Sequence, residues 1–115
     1  RKNFNRSLAL IGKGKGYFIV AFAGKKIVGY AHVGRNGRRW ELFRIYVSPN
    51  KLRKGIGSRL LNHIERFLKS RKAKSYVVYS HAKNTIANNF YPKAGFKRNN
   101  AKDRSRTSIC FEKQL

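Results

Sequence analysis

Two glycines at the start of a predicted helix are the strongest candidates for ligand binding in the sequence. They lie in Gly55-Ile56-Gly57-Ser58, directly after the basic turn at 51–54, and they let the backbone approach a ligand closely. The first turn of a helix leaves backbone N–H groups unpaired, and the helix dipole adds positive charge at the same end. The chemistry expected of this stretch is that of a phosphate cradle.

A strand and a helix are predicted to hold this cradle in place. The β-branched, aromatic and apolar types typical of strands occur at Leu42, Phe43, Ile45, Tyr46 and Val47, and Ser48-Pro49-Asn50 ends the run. Beyond the glycines, apolar residues recur on one helical face, at Ile56, Leu60, Ile64, Phe67 and Leu68 with Leu61 beside them. A Gly-x-Gly pair alone is more typical of an ordinary loop before a helix, so the prediction depends on these flanking elements.

Together these features resemble the cofactor motif of the GCN5-related N-acetyltransferase family, a strand followed by Gln/Arg-x-x-Gly-x-Gly/Ala and a helix. A second stretch is similar to the later motif of that family: Asn84, then Ala87, then Tyr91, closing on Gly95-Phe96. Two motifs in the right order are far more specific than either alone, and the resemblance covers about residues 17–115. Leu52 departs from the pattern where Gln or Arg is expected, and Arg53 is the candidate to replace it.

The resemblance implies an acetyl-CoA site. The residues that it assigns to the cofactor are Ile45, Tyr46 and Val47 for the pantetheine arm, Arg53, Lys54, Gly55, Ile56, Gly57 and Ser58 for the pyrophosphate, and Asn84 and Tyr91 from the second motif. Tyr91 corresponds to a residue beside the cofactor sulfur and is the candidate proton donor to the departing thiolate. The alternative for Tyr91 is a core tyrosine, hydrogen-bonded and inert.

Glu41 is one of only four acidic residues in the chain, and it lies in a strand that is otherwise apolar or basic. In several members of the resembled family a Glu at this position is the general base that draws a proton from the acceptor amine. The alternative is an edge carboxylate paired with Arg38, Arg39 or Arg44. The sequence favours neither interpretation, so both stay open.

The histidines and the cysteine give weaker signals. His81 follows the predicted strand at 74–80 and is a candidate base or acceptor-site residue, whereas His32 and His63 are interpreted as structural. None of them has metal-ligand spacing with Cys110, so no metal is predicted. A single cysteine cannot form an internal disulfide, which fits a reducing compartment, and we expect a cytoplasmic location.

Residues 1–115 are predicted to form one domain of the α/β (α+β) class, with a mixed, mostly antiparallel sheet, a central splay and two main helices. Residues 1–16 are interpreted as a helix end and a loop, so that the first strand and helices usual in the family are mostly missing or shortened. The other predicted elements are strands at 17–23, 27–33, 40–47 and 74–80, a helix at 85–91 capped by Asn84 and stopped by Pro92, and a final strand pair at 96–97 and 107–112. No run approaches the ~18 apolar residues of a membrane span.

The charge is the unusual feature of the composition. The chain carries 28 Lys and Arg against 4 Asp and Glu, a formal net charge of +24. Coenzyme A neutralises only a local patch, so contact with RNA, DNA or a ribonucleoprotein is the favoured explanation, and a solvated surface is the alternative. The sequence leaves open whether the acceptor is a protein, a small molecule or an aminoacyl-RNA, and whether the protein is a homodimer. The competing function is a catalytically silent nucleic-acid-binding module on the same fold.

Overall fold

Four antiparallel strands begin the sheet of this computed structural model, which describes residues 6–12, 16–51 and 55–115. The strands are β1 (Arg6–Gly12), β2 (Gly16–Ala23), β3 (Lys26–Asn36) and β4 (Arg39–Val47), each paired with the next. Gly24 and Gly37 occupy the β2–β3 and β3–β4 turns with φ of 64° and 67°, a conformation that favours glycine. The three predicted strands from residue 17 to residue 47 are therefore confirmed.

The prediction of a helix end and a loop was wrong for residues 6–12. They form β1, which pairs along β2 from Arg6↔Phe22 to Gly12↔Gly16. The apolar run in this stretch, Leu8-Ala9-Leu10-Ile11, is too short for its periodicity to separate a helix from a buried strand. The free edge of β2 supplied a hydrogen-bonding partner that local sequence patterns do not reveal.

The second half of the chain crosses over the sheet and returns to it. Its elements are α1 (Ile56–Ser70), β5 (Ser75–His81), α2 (Thr85–Lys93), β6 (Lys97–Arg98) and β7 (Ser108–Gln114), and the strand order is β1-β2-β3-β4-β5-β7-β6. As predicted, β5 lies parallel to β4. Pro92 does not stop α2 as predicted but lies in its last turn, where the missing N–H removes one helical bond without ending the helix. No described helix is long and apolar enough to cross a membrane.

The sheet has two unlike faces. The helical face carries α1, whose Ile56, Leu60, Ile64 and Leu68 are buried as the periodicity predicts. A side chain on Gly29 of β3 would meet the Tyr46 carbonyl oxygen at 2.7 Å and the Leu60 side chain at 3.2 Å, so glycine lets α1 pack closely against the strand. We call the other side the open face.

The open face of β2–β4 carries an array of aromatic rings. Ala31 and Val33 of β3 are buried in the core, so the alternating residues Tyr30 and His32 lie on the open face. Their cross-strand partners Phe18, opposite His32, and Tyr46, opposite Tyr30, lie on the same face. Neighbouring rings lie 5.4–5.7 Å apart between centroids, from Phe18 through Tyr30 to Tyr46. This face borders the strand that holds Glu41.

The predicted central splay is present between β4 and β5. Among the described residues the two strands pair at only two positions, Glu41↔Val77 and Leu42↔Val78. The β3–β4 register shifts at the same level, where His32 pairs with Arg44 but Val33 pairs with Leu42, so that Phe43 has no partner. A bulge of this kind bends and twists its strand. Beyond Leu42 and Val78 the strands diverge, and we call the space between them the β4–β5 gap.

Candidate active site

The glycine cradle lies at the β4–β5 gap because α1 begins shortly after β4 ends. Gly55 is the N-cap of α1 with φ 80°, and no side chain of the described residues caps this helix end. A Cβ on Gly55 would have no atom of the described ranges within 4 Å, which leaves room there for a ligand. Uncapped N–H groups and the positive end of the helix dipole give this position the properties of an anion site.

The other predicted cradle residues differ in what they can contribute. Ile56 is 1% exposed and its side chain belongs to the core, so only its backbone can reach a ligand. Ser58 is exposed on the first turn of α1. Leu52, Arg53 and Lys54 lie outside the described residues, so the pyrophosphate contacts expected of Arg53 and Lys54 stay predictions.

Gly57 contacts the second helix, a role that the sequence did not suggest. A Cβ on Gly57 would lie 3.1 Å and 3.2 Å from two atoms of the Phe90 ring, and 3.8 Å from the Val47 side chain. Phe90 therefore packs from α2 against the start of α1, close to the end of β4. Sequence reasoning assigned Gly57 to a ligand and missed Phe90, although Phe90 directly precedes Tyr91 in the second motif.

Tyr91 lies in a ring cluster on the helical face. Its ring centroid is 5.5 Å from that of Phe96 and 5.6 Å from those of Phe90 and Phe111. The residue is 6% exposed, and this burial raises the pKa of the Tyr91 phenol to about 12. Within the described residues its hydroxyl has no hydrogen-bond partner, so the hydrogen bond expected of an inert core tyrosine is not found there.

Asn84 and His81 fix the turn between β5 and α2. The Asn84 Oδ1 accepts a hydrogen bond from the Ala87 N–H at 3.1 Å, which confirms the predicted N-cap. The His81 Nδ1 accepts from the Lys83 N–H at 3.0 Å. Asn88, which sequence reasoning did not single out, donates from its side-chain amide to the His81 and Ala82 carbonyl oxygens at 3.1 and 3.0 Å. These contacts hold α2, and with it Tyr91, at the end of β5.

Glu41 is buried on the open face, at 5% exposure. Its Oε1 accepts hydrogen bonds from Arg104 at 2.6 Å and from the Asn36 amide at 3.1 Å. The predicted alternative of a pair with Arg38, Arg39 or Arg44 was wrong, because the partner comes from the β6–β7 connection. Long-range pairing of this kind leaves no trace in local sequence. Both contacts go to one oxygen, and in the described part of the chain Oε2 makes no hydrogen bond.

Arg104 is itself held in place by an aromatic ring. Its guanidinium carbon lies 3.8 Å from the centroid of the Tyr79 ring, a distance typical of cation–π stacking. The Tyr79 hydroxyl accepts a hydrogen bond from Arg39 at 3.2 Å and donates one to the Lys102 carbonyl oxygen at 3.0 Å. Arg39 therefore supports the ring under Arg104 instead of pairing with Glu41.

Two candidate groups of opposite chemistry lie on opposite faces of the sheet. The Tyr91 phenol lies on the helical face, and the Glu41 carboxylate lies on the open face at the first of the two β4–β5 rungs. Ile45 and Val47 pack toward the core, whereas Tyr46 is 42% exposed on the open face. Their side chains thus do not converge, and the site predicted there depends on backbone groups of β4 that β5 leaves unpaired.

Replacing Gly57 by Ala is expected to destabilise the fold by about 1–3 kcal/mol, because the new methyl group would press on the Phe90 ring. In a Phe90→Ala background the same change should cost nothing or stabilise, since Ala is the better helix former. A double-mutant cycle measured by urea unfolding checks this. An equal cost of Gly57→Ala in both backgrounds would mean that Phe90 is not the reason for the glycine.

Comparisons with known proteins agree with this geometry. The sequence model of the Acetyltransferase (GNAT) family matches residues 2–96. The chain is 32% identical over 80 residues to a spermidine N(1)-acetyltransferase of Thermoplasma acidophilum, which covers 70% of this chain and 50% of that protein. It therefore spans about half the length of this relative.

Two solved structures share the fold. The PaiA N-acetyltransferase from Thermoplasma acidophilum in complex with coenzyme A superposes with a TM-score of 0.79 at 29% identity, covering 88% of this chain and 62% of that one. A streptothricin acetyltransferase from Bacillus anthracis in complex with acetyl coenzyme A gives a TM-score of 0.82 at 18% identity, covering 91% and 65%. With the family match over residues 2–96 and the shared fold, the chain belongs to the GNAT acetyltransferase family.

Proposed function

We propose that the protein transfers an acetyl group from acetyl-CoA to an amine by direct attack. The observation that supports this proposal is the β4–β5 gap, together with the glycine N-cap of α1, the buried Tyr91 phenol on the helical face and the buried Glu41 carboxylate on the open face. The relatives bound to coenzyme A and acetyl coenzyme A support the choice of cosubstrate. The similarity to an enzyme named for spermidine supports an amine acceptor.

The described residues fit acetyl-CoA. Within the described ranges, no atom fills the space beside Gly55 and no side chain caps the start of α1, so phosphate oxygens would accept backbone hydrogen bonds there. Beyond Leu42, β4 has a free edge toward the gap, and amides of Ile45 to Val47 on that edge would hold an extended arm as a neighbouring strand does. Acetyl-CoA supplies the activated thioester. Amide donors at the bulge would polarise its carbonyl group, which is where negative charge develops during attack.

Tyr91 is proposed as the proton donor to the leaving thiolate. Burial holds its pKa at about 12, so the phenol keeps its proton at neutral pH. Its hydroxyl has no acceptor among the described residues, which leaves that proton for a ligand in the gap. The ring cluster with Phe96 and Phe111 holds the side chain in one orientation.

Glu41 is proposed as the base that takes a proton from the acceptor amine. Arg104 and Asn36 hold Oε1 and so orient the carboxylate, while Oε2 has no partner in the described residues and is available to the amine or to a bridging water. Because Glu41 lies on the open face, the acceptor would approach from that face while the cofactor occupies the helical side. The two substrates would then meet at the last rung of the ladder.

The charges of the protein argue against a polycationic acceptor. All four acidic side chains already form ion pairs, Glu41 with Arg104, Glu65 with Lys113, Asp103 with Arg98 and Glu112 with Lys102. The net charge of +24 would repel spermidine, and no acidic side chain is left to hold it outside these pairs. We therefore propose an acceptor amine associated with nucleic acid or with the ribosome. The competing proposal, a silent nucleic-acid-binding module, requires the same charge but no turnover.

Replacing Tyr91 by Phe should lower kcat by about 100-fold or more, because the proton donor is lost when the thiolate leaves. The affinity for acetyl-CoA should change little, since the ring and its packing remain. Stopped-flow or steady-state detection of free coenzyme A measures the first quantity and calorimetry the second. Tyr17→Phe is the matched control, because Tyr17 stacks on Phe67 away from the gap. Turnover as fast in Tyr91→Phe as in this control would remove Tyr91 from the mechanism.

Replacing Glu41 by Gln separates the two interpretations of that residue. If Glu41 is the base, kcat/KM falls, and the loss is greatest at neutral pH where most of the acceptor amine is protonated. If it serves only as the partner of Arg104, thermal stability falls while kcat/KM is kept. A pH series of kcat/KM together with a melting curve of each variant decides between these results, and an unchanged kcat/KM contradicts the proposed base.

A further inference from the structure

A cleft at the opposite end of the sheet from the glycine cradle is lined mainly by basic side chains. It has a volume of about 600 Å³ and lies between the β3–β4 turn, the end of α1 and the start of β5. The basic residues that line this feature, which we call the basic cleft, are Arg35, Arg38, Arg39, Arg71, Lys72, Lys74 and Lys102. A volume of this size is typical of ligand sites.

Aromatic contacts position several of these guanidinium groups. The Arg35 guanidinium carbon lies 5.1 Å from the Trp40 ring centroid, and that of Arg71 lies 4.9 Å from the Phe67 ring. Arg39 donates to the Tyr79 hydroxyl at 3.2 Å. Stacking on a ring fixes the plane of a guanidinium, and the N–H edge of that plane matches the geometry of phosphate oxygens. The cleft therefore presents oriented phosphate donors.

The turn that ends α1 places Lys72 on the cleft. Lys72 has φ 62° and is the one non-glycine with positive φ in the described ranges. Its N–H donates to the Lys69 carbonyl oxygen and the Ala73 N–H donates to that of Leu68, both at 3.0 Å, as is usual where a left-handed residue ends a helix. The turn therefore fixes the backbone from which Lys72 and Lys74 line the cleft.

Ion pairs with carboxylates of the protein do not account for the basic residues that line the cleft. Glu112 is the one carboxylate among the described lining residues. Burial alone would raise the pKa of Glu112, but hydrogen bonds from Lys102 and Asn99 hold that pKa below its ordinary value, so Glu112 is already engaged. The helix dipole favours cations at the end of α1, but it gives no reason for Arg35, Arg38 and Arg39 on the facing turn.

We propose that the basic cleft binds the phosphates of a single-stranded nucleic acid. The excess positive charge extends over the whole chain, which suits a long polyanion better than a small one. Asn36 lines the cleft and also donates a hydrogen bond to Glu41, so a nucleic acid bound in the cleft would lie beside the Glu41 carboxylate. The binding of phosphates in the cleft is independent of the proposed function. The further step, in which the bound nucleic acid brings the acceptor amine to Glu41, rests on the proposed function.

The test compares two triple variants with the same loss of charge. Arg38→Ala/Lys72→Ala/Lys74→Ala removes three cleft residues, and Lys25→Ala/Lys26→Ala/Lys93→Ala removes three exposed residues of the β2–β3 turn and α2. Binding of a labelled single-stranded RNA of about 20 nucleotides is followed by fluorescence anisotropy over a salt series. The cleft variant should bind about tenfold or more weakly than wild type, with a salt slope smaller by about 2. The control variant should lose much less affinity.

Three results would overturn the inference: equal weakening by both triple variants, no binding by wild type at about 0.15 M salt, or tighter binding of inorganic polyphosphate than of RNA of equal charge. Circular dichroism melts of each variant check that the fold is kept. Calorimetry with acetyl-CoA on the same samples separates this inference from the proposed function. RNA binding without acetyl-CoA binding rejects the transferase and keeps the cleft, whereas the reverse result rejects only the cleft.

Discussion

The site depends on the short parallel ladder between β4 and β5. Two rungs, Glu41↔Val77 and Leu42↔Val78, hold the halves of the sheet together, and the bulge at Phe43 turns β4 away directly beyond them. Each strand keeps a long ladder on its other side, β4 with β3 to Val47 and β5 with β7 along its whole length. The divergence therefore leaves backbone groups of β4 and β5 unpaired along the gap, where water or a ligand can satisfy them.

The four acidic side chains are all used in contacts that join elements of the fold, so most of the Lys and Arg residues have no carboxylate to pair with. Glu65 accepts a hydrogen bond from Tyr76 at 2.6 Å and pairs with Lys113, which ties α1 to β5 and β7. Asp103 binds Arg98 at 2.8 Å and the Cys110 N–H at 2.7 Å, and the Arg98 hydrogen bond holds the pKa of Asp103 below its ordinary value. Each acid thus joins elements of the fold. The surface is left strongly basic, and self-repulsion of that size favours a polyanionic partner.

Much of the fold was predictable because local patterns and tertiary packing agree. The buried stripe of α1, the hairpin strands and the Asn84 cap each follow from spacing or turn chemistry within a few residues. The position of Gly55 at the start of α1 followed from its flanking elements in the same way, whereas its role as a phosphate cradle stays a prediction. The errors arose where a distant partner decides the outcome, as β2 does for residues 6–12 and Arg104 does for Glu41.

The residues that sequence reasoning missed have the same origin. Phe90 and Phe43 are ordinary apolar residues in the sequence, and their roles come from the packing of α2 on α1 and from the register of β3 on β4. The basic cleft likewise brings together residues from 35 to 112. The net charge predicted a polyanionic partner, but the fold was needed to show which of the many Lys and Arg residues line the same cleft.

The central claim is that the β4–β5 gap, with the start of α1, holds acetyl-CoA. An NMR titration of ¹⁵N-labelled protein with acetyl-CoA tests it most directly, because each backbone amide reports separately. If acetyl-CoA binds there, the amides at 43–47, 55–58 and 84–91 should show saturable chemical-shift changes, and those at 35–39 and 71–75 should change little. Shifts centred on the basic cleft, or none that saturate near the gap, would contradict it.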